Sequence, residues 1–117
     1  MATASNMLAF LRDKATQRHA AVHAHATTAR AAARDLARLL ADEFGASQVW
    51  LFGSLAWGEP DLDADIDLAV TGLDPDAYFA ALGRLLCAAP FSVDLVCLQE
   101  APEALRTRIL RDGEALL

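Results

Sequence analysis

Four aspartates, Asp61, Asp63, Asp65 and Asp67, alternate with Leu62, Ala64, Ile66 and Leu68. On an extended chain successive side chains point to opposite faces, so the carboxylates share one face and the apolar residues pack beneath. Asp65 and Asp67 then stand roughly 6.6 Å apart along the strand, a spacing suited to one or two hard cations. Four like charges on one face repel, and a divalent cation neutralises them. A calcium loop of the EF-hand type is excluded, because its turn glycine falls on Ile66 and its closing glutamate on Gly72. Upstream, the apolar run Val49–Phe52 reads as a buried strand that ends at Gly53 and Ser54. A residue without a Cβ beside a hydroxyl suits a phosphate or a metal. Downstream, the run from Phe91 to Leu98 is apolar at nearly every position except Asp94. A carboxylate buried there costs several kcal/mol unless it is paired or holds a metal. Asp94 is therefore a third candidate, with an ion pair to Arg84 or Arg108 as the plainer alternative.

Gly53-Ser54, ten residues, then Asp65-Ile66-Asp67 resembles the Gly-Ser-x10-Asp-x-Asp signature of the DNA polymerase β-like nucleotidyltransferases. The small size points to their minimal nucleotidyltransferase (MNT) branch. The resemblance implies an α+β, two-layer nucleotidyltransferase fold with a small mixed sheet and helices on one face. It implies transfer of a nucleoside monophosphate, AMP from ATP or from another nucleoside triphosphate, to a hydroxyl acceptor. Asp65, Asp67 and Asp94 would be the catalytic, metal-binding residues, holding two Mg2+ ions with bound nucleotide. Gly53, Ser54 and Gly58 would bind the nucleotide. Small MNT proteins are typically antitoxins of HEPN-domain toxins, which makes a HEPN toxin the expected partner and acceptor. Two departures support an alternative. Leu55 and Trp57 stand where family members commonly carry arginines, and Ala64 stands where serine often precedes Asp-x-Asp. In that alternative the chain is a catalytically weak or inactive binding module acting through its N-terminal helix; in a nucleotide-binding chain the same departures reduce triphosphate affinity or let Trp57 stack on the base.

A chain of 117 residues with 55% hydrophobic content is one domain's worth plus an extension. Its net charge of −6 is uneven. Residues 1–44 carry six basic and four acidic side chains, residues 45–117 four basic and twelve acidic. The acidic part excludes a broad nucleic-acid surface, which needs clustered Lys and Arg. Cys87 and Cys97 lie in apolar runs and read as reduced core residues. No apolar run reaches the ~20 residues needed to cross a bilayer, and charge follows the first apolar patch instead of preceding it, so a cytoplasmic protein is expected.

The elements that must position these residues follow from punctuation and period. No glycine or proline occurs between Asn6 and Phe44, which predicts helix capped at Ser5 or Asn6. Residues 1–44 form the expected helical extension and residues 45–117 the nucleotidyltransferase domain. Apolar or small residues recur at Leu8, Leu11, Ala15, Val22, Ala26, Ala29, Ala33, Leu36 and Leu40. Unbroken, such a helix extends roughly 58 Å, longer than its domain covers. Either it breaks near Thr27-Thr28 into a hairpin, or its N-terminal half packs on another chain, giving a homo- or hetero-oligomer. His19 and His23 share a helix face as two zinc ligands do, but no Cys, Asp or Glu joins them there, and surface histidines are the plainer reading. Asp74-Pro75 starts a helix with Phe79, Leu82, Leu85 and Leu86 toward the sheet, and Pro102 opens another with Leu105, Ile109 and Leu110 inward. The tail from Glu114 is expected to cover the sheet.

Overall fold

The computed structural model describes residues 4–58 and 65–117. Asp61, Asp63 and Ala64, and with them the expected four-carboxylate face, lie outside the described residues. Ala4–Phe44 forms one unbroken helix of 41 residues, α1. The hairpin alternative is overturned at Thr27 and Thr28, whose hydroxyls donate to the carbonyls of His23 and Ala24 at 2.9 and 3.0 Å. Bonding one turn back lets a threonine sit inside a helix without breaking it. Among the described residues the helix already runs from Ala4, so the backbone of Ser5 and Asn6 lies inside it and not at a cap position. At the other end Gly45 takes a left-handed φ of 69° and donates to Ala41, which stops α1 where a glycine was expected to stop it.

Four strands follow in one mixed sheet: β1 (Gln48–Phe52), β2 (Ile66–Thr71), β3 (Val93–Cys97) and β4 (Glu114–Ala115), in the order β3-β2-β1-β4. The β1 and β2 strands pair antiparallel, β2 and β3 parallel, and β4 adds antiparallel to β1. The tail expected to cover the sheet therefore extends its edge instead. Between the strands lie α2 (Ser54–Trp57) after β1, α3 (Tyr78–Ala88) before β3, and α4 (Glu103–Asp112) before β4. The aspartate cap of α3 is present one step earlier: Asp74 accepts from the Asp76 amide at 2.9 Å, over a 3-10 turn at Pro75–Ala77.

Alternation along the strands divides the interior in two. Val49, Leu51, Ile66, Leu68, Val70, Val93, Leu95 and Cys97 meet Ala29, Ala33, Leu36 and Leu40 of α1, with Ala81 and Leu85 of α3. On the other face Phe52 and Ala69 meet Leu98 and Ile109, with Trp50, Trp57, Val96 and Leu105 around them. So α1 and α3 cover one face of the sheet, and α4 lies against the other. Several apolar residues expected inward face solvent: Phe79 is 81% exposed, and Leu86 and Leu110 are also exposed. The buried stripe of α3 runs through Tyr78, Ala81, Leu82 and Leu85, which leaves Phe79 and Leu86 roughly 100° off it. The Tyr78 hydroxyl fixes that rotation by donating to the Leu95 carbonyl of β3 at 2.6 Å. Cys87 is exposed while Cys97 is buried, so only one of the two is a core residue.

The N-terminal half of α1 has no such cover. Met7, Leu8, Phe10 and Leu11 are exposed, and the molecule extends 66 Å along its longest axis. No described helix is long and apolar enough to cross a membrane. Leu40, fully buried, and Leu8, 59% exposed, should separate the two halves energetically. Leu40→Ala is expected to lose about 2–5 kcal/mol, and Leu8→Ala to stay within about 0.5 kcal/mol of the native chain in urea denaturation. Equal losses would mean that the exposed half is packed in solution.

Candidate active site

Asp67 is the residue on which the site is built. In β2 it is flanked by buried Ile66 and Leu68, so pleating turns it to the opposite face of the sheet, the face of Phe52 and Ala69. The register places Phe52 beside it on β1 and Asp94 beside it on β3. Phe52, Asp67 and Asp94 thus form one row across three strands, neighbours about 4.8 Å apart along the hydrogen-bonding direction. Asp65 stands just before β2 and is exposed.

The electrostatics follow from this row. Burial raises the Asp67 carboxyl from the usual 3.8 to about 6, with Asp94 and then Asp65 adding repulsion. Asp94 was singled out for the wrong reason. It is exposed, because β3 is an edge strand and its second face is open, so no large desolvation cost attaches to it. Neither arginine offered as its partner reaches it: Arg84 pairs with Glu43 at 3.3 Å, and Arg108 with Asp112 at 3.7 Å. Asp67 and Asp94 are therefore strand neighbours, with Asp65 near enough to add repulsion, and neither arginine neutralises them.

Gly53 closes the site from above. Its φ of 73° is left-handed, and a Cβ built on it would meet Asp67 Oδ2 at 2.1 Å. The backbone here passes against the carboxylate, which only a glycine permits. Ser54 opens α2 next to it, and the Gly53 carbonyl accepts from the Ala56 and Trp57 amides at 3.1 and 3.0 Å. Gly58 ends α2 in a left-handed cap whose N–H donates to the Ser54 carbonyl. The segment expected to be a plain turn is thus one turn of helix hung between two positive-φ glycines.

Two arginines hold this helix: Arg30, which sequence reasoning did not select, and Arg108, which it offered only as a partner for Asp94. Arg30 of α1 donates to the Leu55 carbonyl and to Glu114 of β4 at 3.4 Å, with Arg34 also facing Glu114 at 3.8 Å. Arg108 of α4 lies over the Trp57 ring with its guanidinium carbon 3.6 Å from the ring centroid. Trp57 in turn packs 6.3 Å from the Phe52 ring. One face of Trp57 is therefore already covered, which displaces the idea that a base stacks there. The histidines stand apart from the acid row, although His23 lines a hollow with Arg30 and Gly58. His19 and His23 are exposed, and His25 meets Phe91 edge-on at 5.4 Å.

Oxygen-only donors suit a hard cation such as Mg2+ and disfavour softer metals. Among the described residues no three His, Cys, Asp or Glu side chains are already gathered as a metal cage.

Comparison with known proteins bears on this geometry. The family model described as Polymerase beta, Nucleotidyltransferase matches residues 34–117. Among solved structures, a toxin-antitoxin with AMP-PNP is 28% identical with a TM-score of 0.62, covering 72% of this chain and 72% of that one. A tri-AMPylated Shewanella oneidensis HEPN toxin in complex with MNT antitoxin is 28% identical, TM-score 0.59, covering 75% and 71%. A protein assigned as a minimal nucleotidyltransferase is 30% identical, TM-score 0.62, covering 75% and 92%. None of the curated proteins matches the chain.

Proposed function

Since the chain belongs to the Polymerase beta nucleotidyltransferase family, we propose that it transfers AMP from ATP to a hydroxyl of a partner protein, a HEPN toxin, and so acts as an antitoxin in the cytoplasm. The observation that carries this is the register pairing of Asp67 with Asp94, with the Gly53 backbone against Asp67. Asp65, Asp67 and Asp94 would hold two Mg2+ ions, whose chemistry when bound is to neutralise the triphosphate and stabilise the attacking and leaving oxygens. In the transfer, the acceptor oxygen bonds to the α-phosphorus and the bond to pyrophosphate breaks. The hydroxyl proton passes to Asp94, which is exposed at the sheet edge and open to an acceptor from outside. Gly53 and Ser54 hold the terminal phosphates, and Gly58 keeps α2 to a single turn. The solved toxin-antitoxin structures with AMP-PNP and with a tri-AMPylated toxin support the choice of nucleotide and acceptor.

The exposed half of α1 is the partner contact in this reading, through Met7, Leu8 and Leu11. That same surface, with Leu55 and Trp57 in α2, favours a second reading in which the chain binds its partner without chemistry. Intact mass of the co-expressed partner separates them. With native protein the partner is expected to gain one or more AMP masses, and with Asp67→Ala none. An unmodified partner that is still bound and neutralised in both cases selects the binding reading.

A further inference from the structure

Resting on the nucleotidyl-transfer reading, we infer that the hollow between α2 and α4, lined by Ala56, Trp57, Arg108 and Asp112, seats the terminal phosphates of the nucleotide, with Arg108 as the binding cation. The hollow has a volume of about 280 Å³. It adjoins α2, the turn of helix that Ser54 opens, and its Trp57 packs on Phe52, the strand partner of Asp67. Ser54 and Trp57 are three apart on α2 and so project from one side of it. A triphosphate, with its charges spread along its length, would run from the acid row past Ser54 and along α2 toward Arg108.

The way Arg108 is held argues for binding and against a purely structural role. A guanidinium stacked on an aromatic ring uses its face, which leaves the N–H donors around its edge available for oxygen anions. Its pair with Asp112 is made through Nε alone, at 3.7 Å, and Asp112 is held more closely by Arg111 at 2.9 Å. Other arginines around the sheet face groups away from this hollow, although the Arg106 Nε is buried without a partner. Arg30 and Arg34 face Glu114, Arg84 faces Glu43, and Arg106 donates to the Ala101 carbonyl at 3.3 Å. Leu55 and Trp57 themselves bring no charge to α2. The cation comes from a helix fifty residues later in the chain, and Trp57 is the platform that orients it.

Calorimetric titration of the full chain with magnesium pyrophosphate, magnesium ATP and adenosine tests this. Arg108 is half exposed at the surface of α4, so Arg108→Gln should fold normally. Arg108→Gln is expected to bind pyrophosphate and ATP at least roughly tenfold more weakly, the loss of a charge-assisted contact, while adenosine binding is unchanged. Arg108→Lys should recover part of the loss, and Trp57→Ala should reproduce it although the arginine remains. Unchanged pyrophosphate and ATP affinity in Arg108→Gln overturns the inference and leaves the transferase reading standing. Weaker ATP with unchanged pyrophosphate also overturns it, since the arginine would then touch the nucleoside. If the native chain binds neither ATP nor pyrophosphate, the inference and the transferase reading fall together.

Discussion

Asp67→Asn is expected to abolish nucleotidyl transfer and, in the same protein, to raise the melting temperature at neutral pH. The two effects share one cause. Asp67 is held partly buried beside Asp94 and Asp65, and its carboxyl is raised from 3.8 to about 6. A raised carboxyl means that the folded state disfavours the charged form. The penalty is fully present above about pH 6 and is relieved as pH falls toward 3.8. Native stability without metal should therefore rise as pH is lowered from 7 toward 4, as far as this group is concerned, and the asparagine variant should lack that rise. With solvent screening allowed for, the gain from Asp67→Asn at pH 7 is about 1–2 kcal/mol. Transfer should fall at least roughly a thousandfold, because an amide is a poor substitute for a carboxylate in neutralising a triphosphate through metal. Thermal melts in chelator from pH 4 to 8, alongside a transfer assay with magnesium, check both halves. An asparagine variant that is less stable at pH 7, or that still transfers, contradicts the account.

Gly53→Ala carries the second large effect. Two costs add there: a left-handed backbone at φ 73°, and a methyl group placed 2.1 Å from Asp67 Oδ2. The first costs about 1 kcal/mol, and the second forces the turn or the carboxylate to move. Together they should remove about 2–4 kcal/mol of stability, and transfer with it, since either movement disturbs Asp67. Gly58→Ala is the matched control. Its φ is 86°, but none of the described residues comes within 4 Å of a Cβ there, so only the backbone cost of about 1 kcal/mol is expected. Urea denaturation of the pair should show Gly53→Ala clearly the worse. Equal losses would mean that the Gly53 backbone does not press on Asp67.

Legibility in the sequence followed distance along the chain. Gly53, Ser54, Asp65 and Asp67 declare themselves because strand, turn and strand lie within about twenty residues, and the pleat of β2 assigns the face of Asp67. Asp94 was legible as an exception in an apolar run. The inference of burial failed, because nothing local tells an edge strand from a central one. Arg30 and Arg108 were not legible, since they act on residues 25 and 51 positions away, and a surface arginine has no periodicity to betray it. Phe79 misled for a related reason. Its apolar neighbours define two possible helix faces, and the bond from Tyr78 to Leu95 selects the one that leaves Phe79 outside.

The long α1 helix has a consequence in helix-coil terms. Starting a helix in water is unfavourable, while adding residues to an existing one is close to neutral for alanine-rich sequence. From Ala26 to Leu40 the helix is held against the sheet and serves as a standing nucleus, from which the exposed residues grow by propagation alone. Their helicity is therefore borrowed from the folded domain. Amide hydrogen exchange should grade steadily along α1, fastest toward Ala4 and slowest near Leu40, so that the arm frays from its tip while the sheet stays shut.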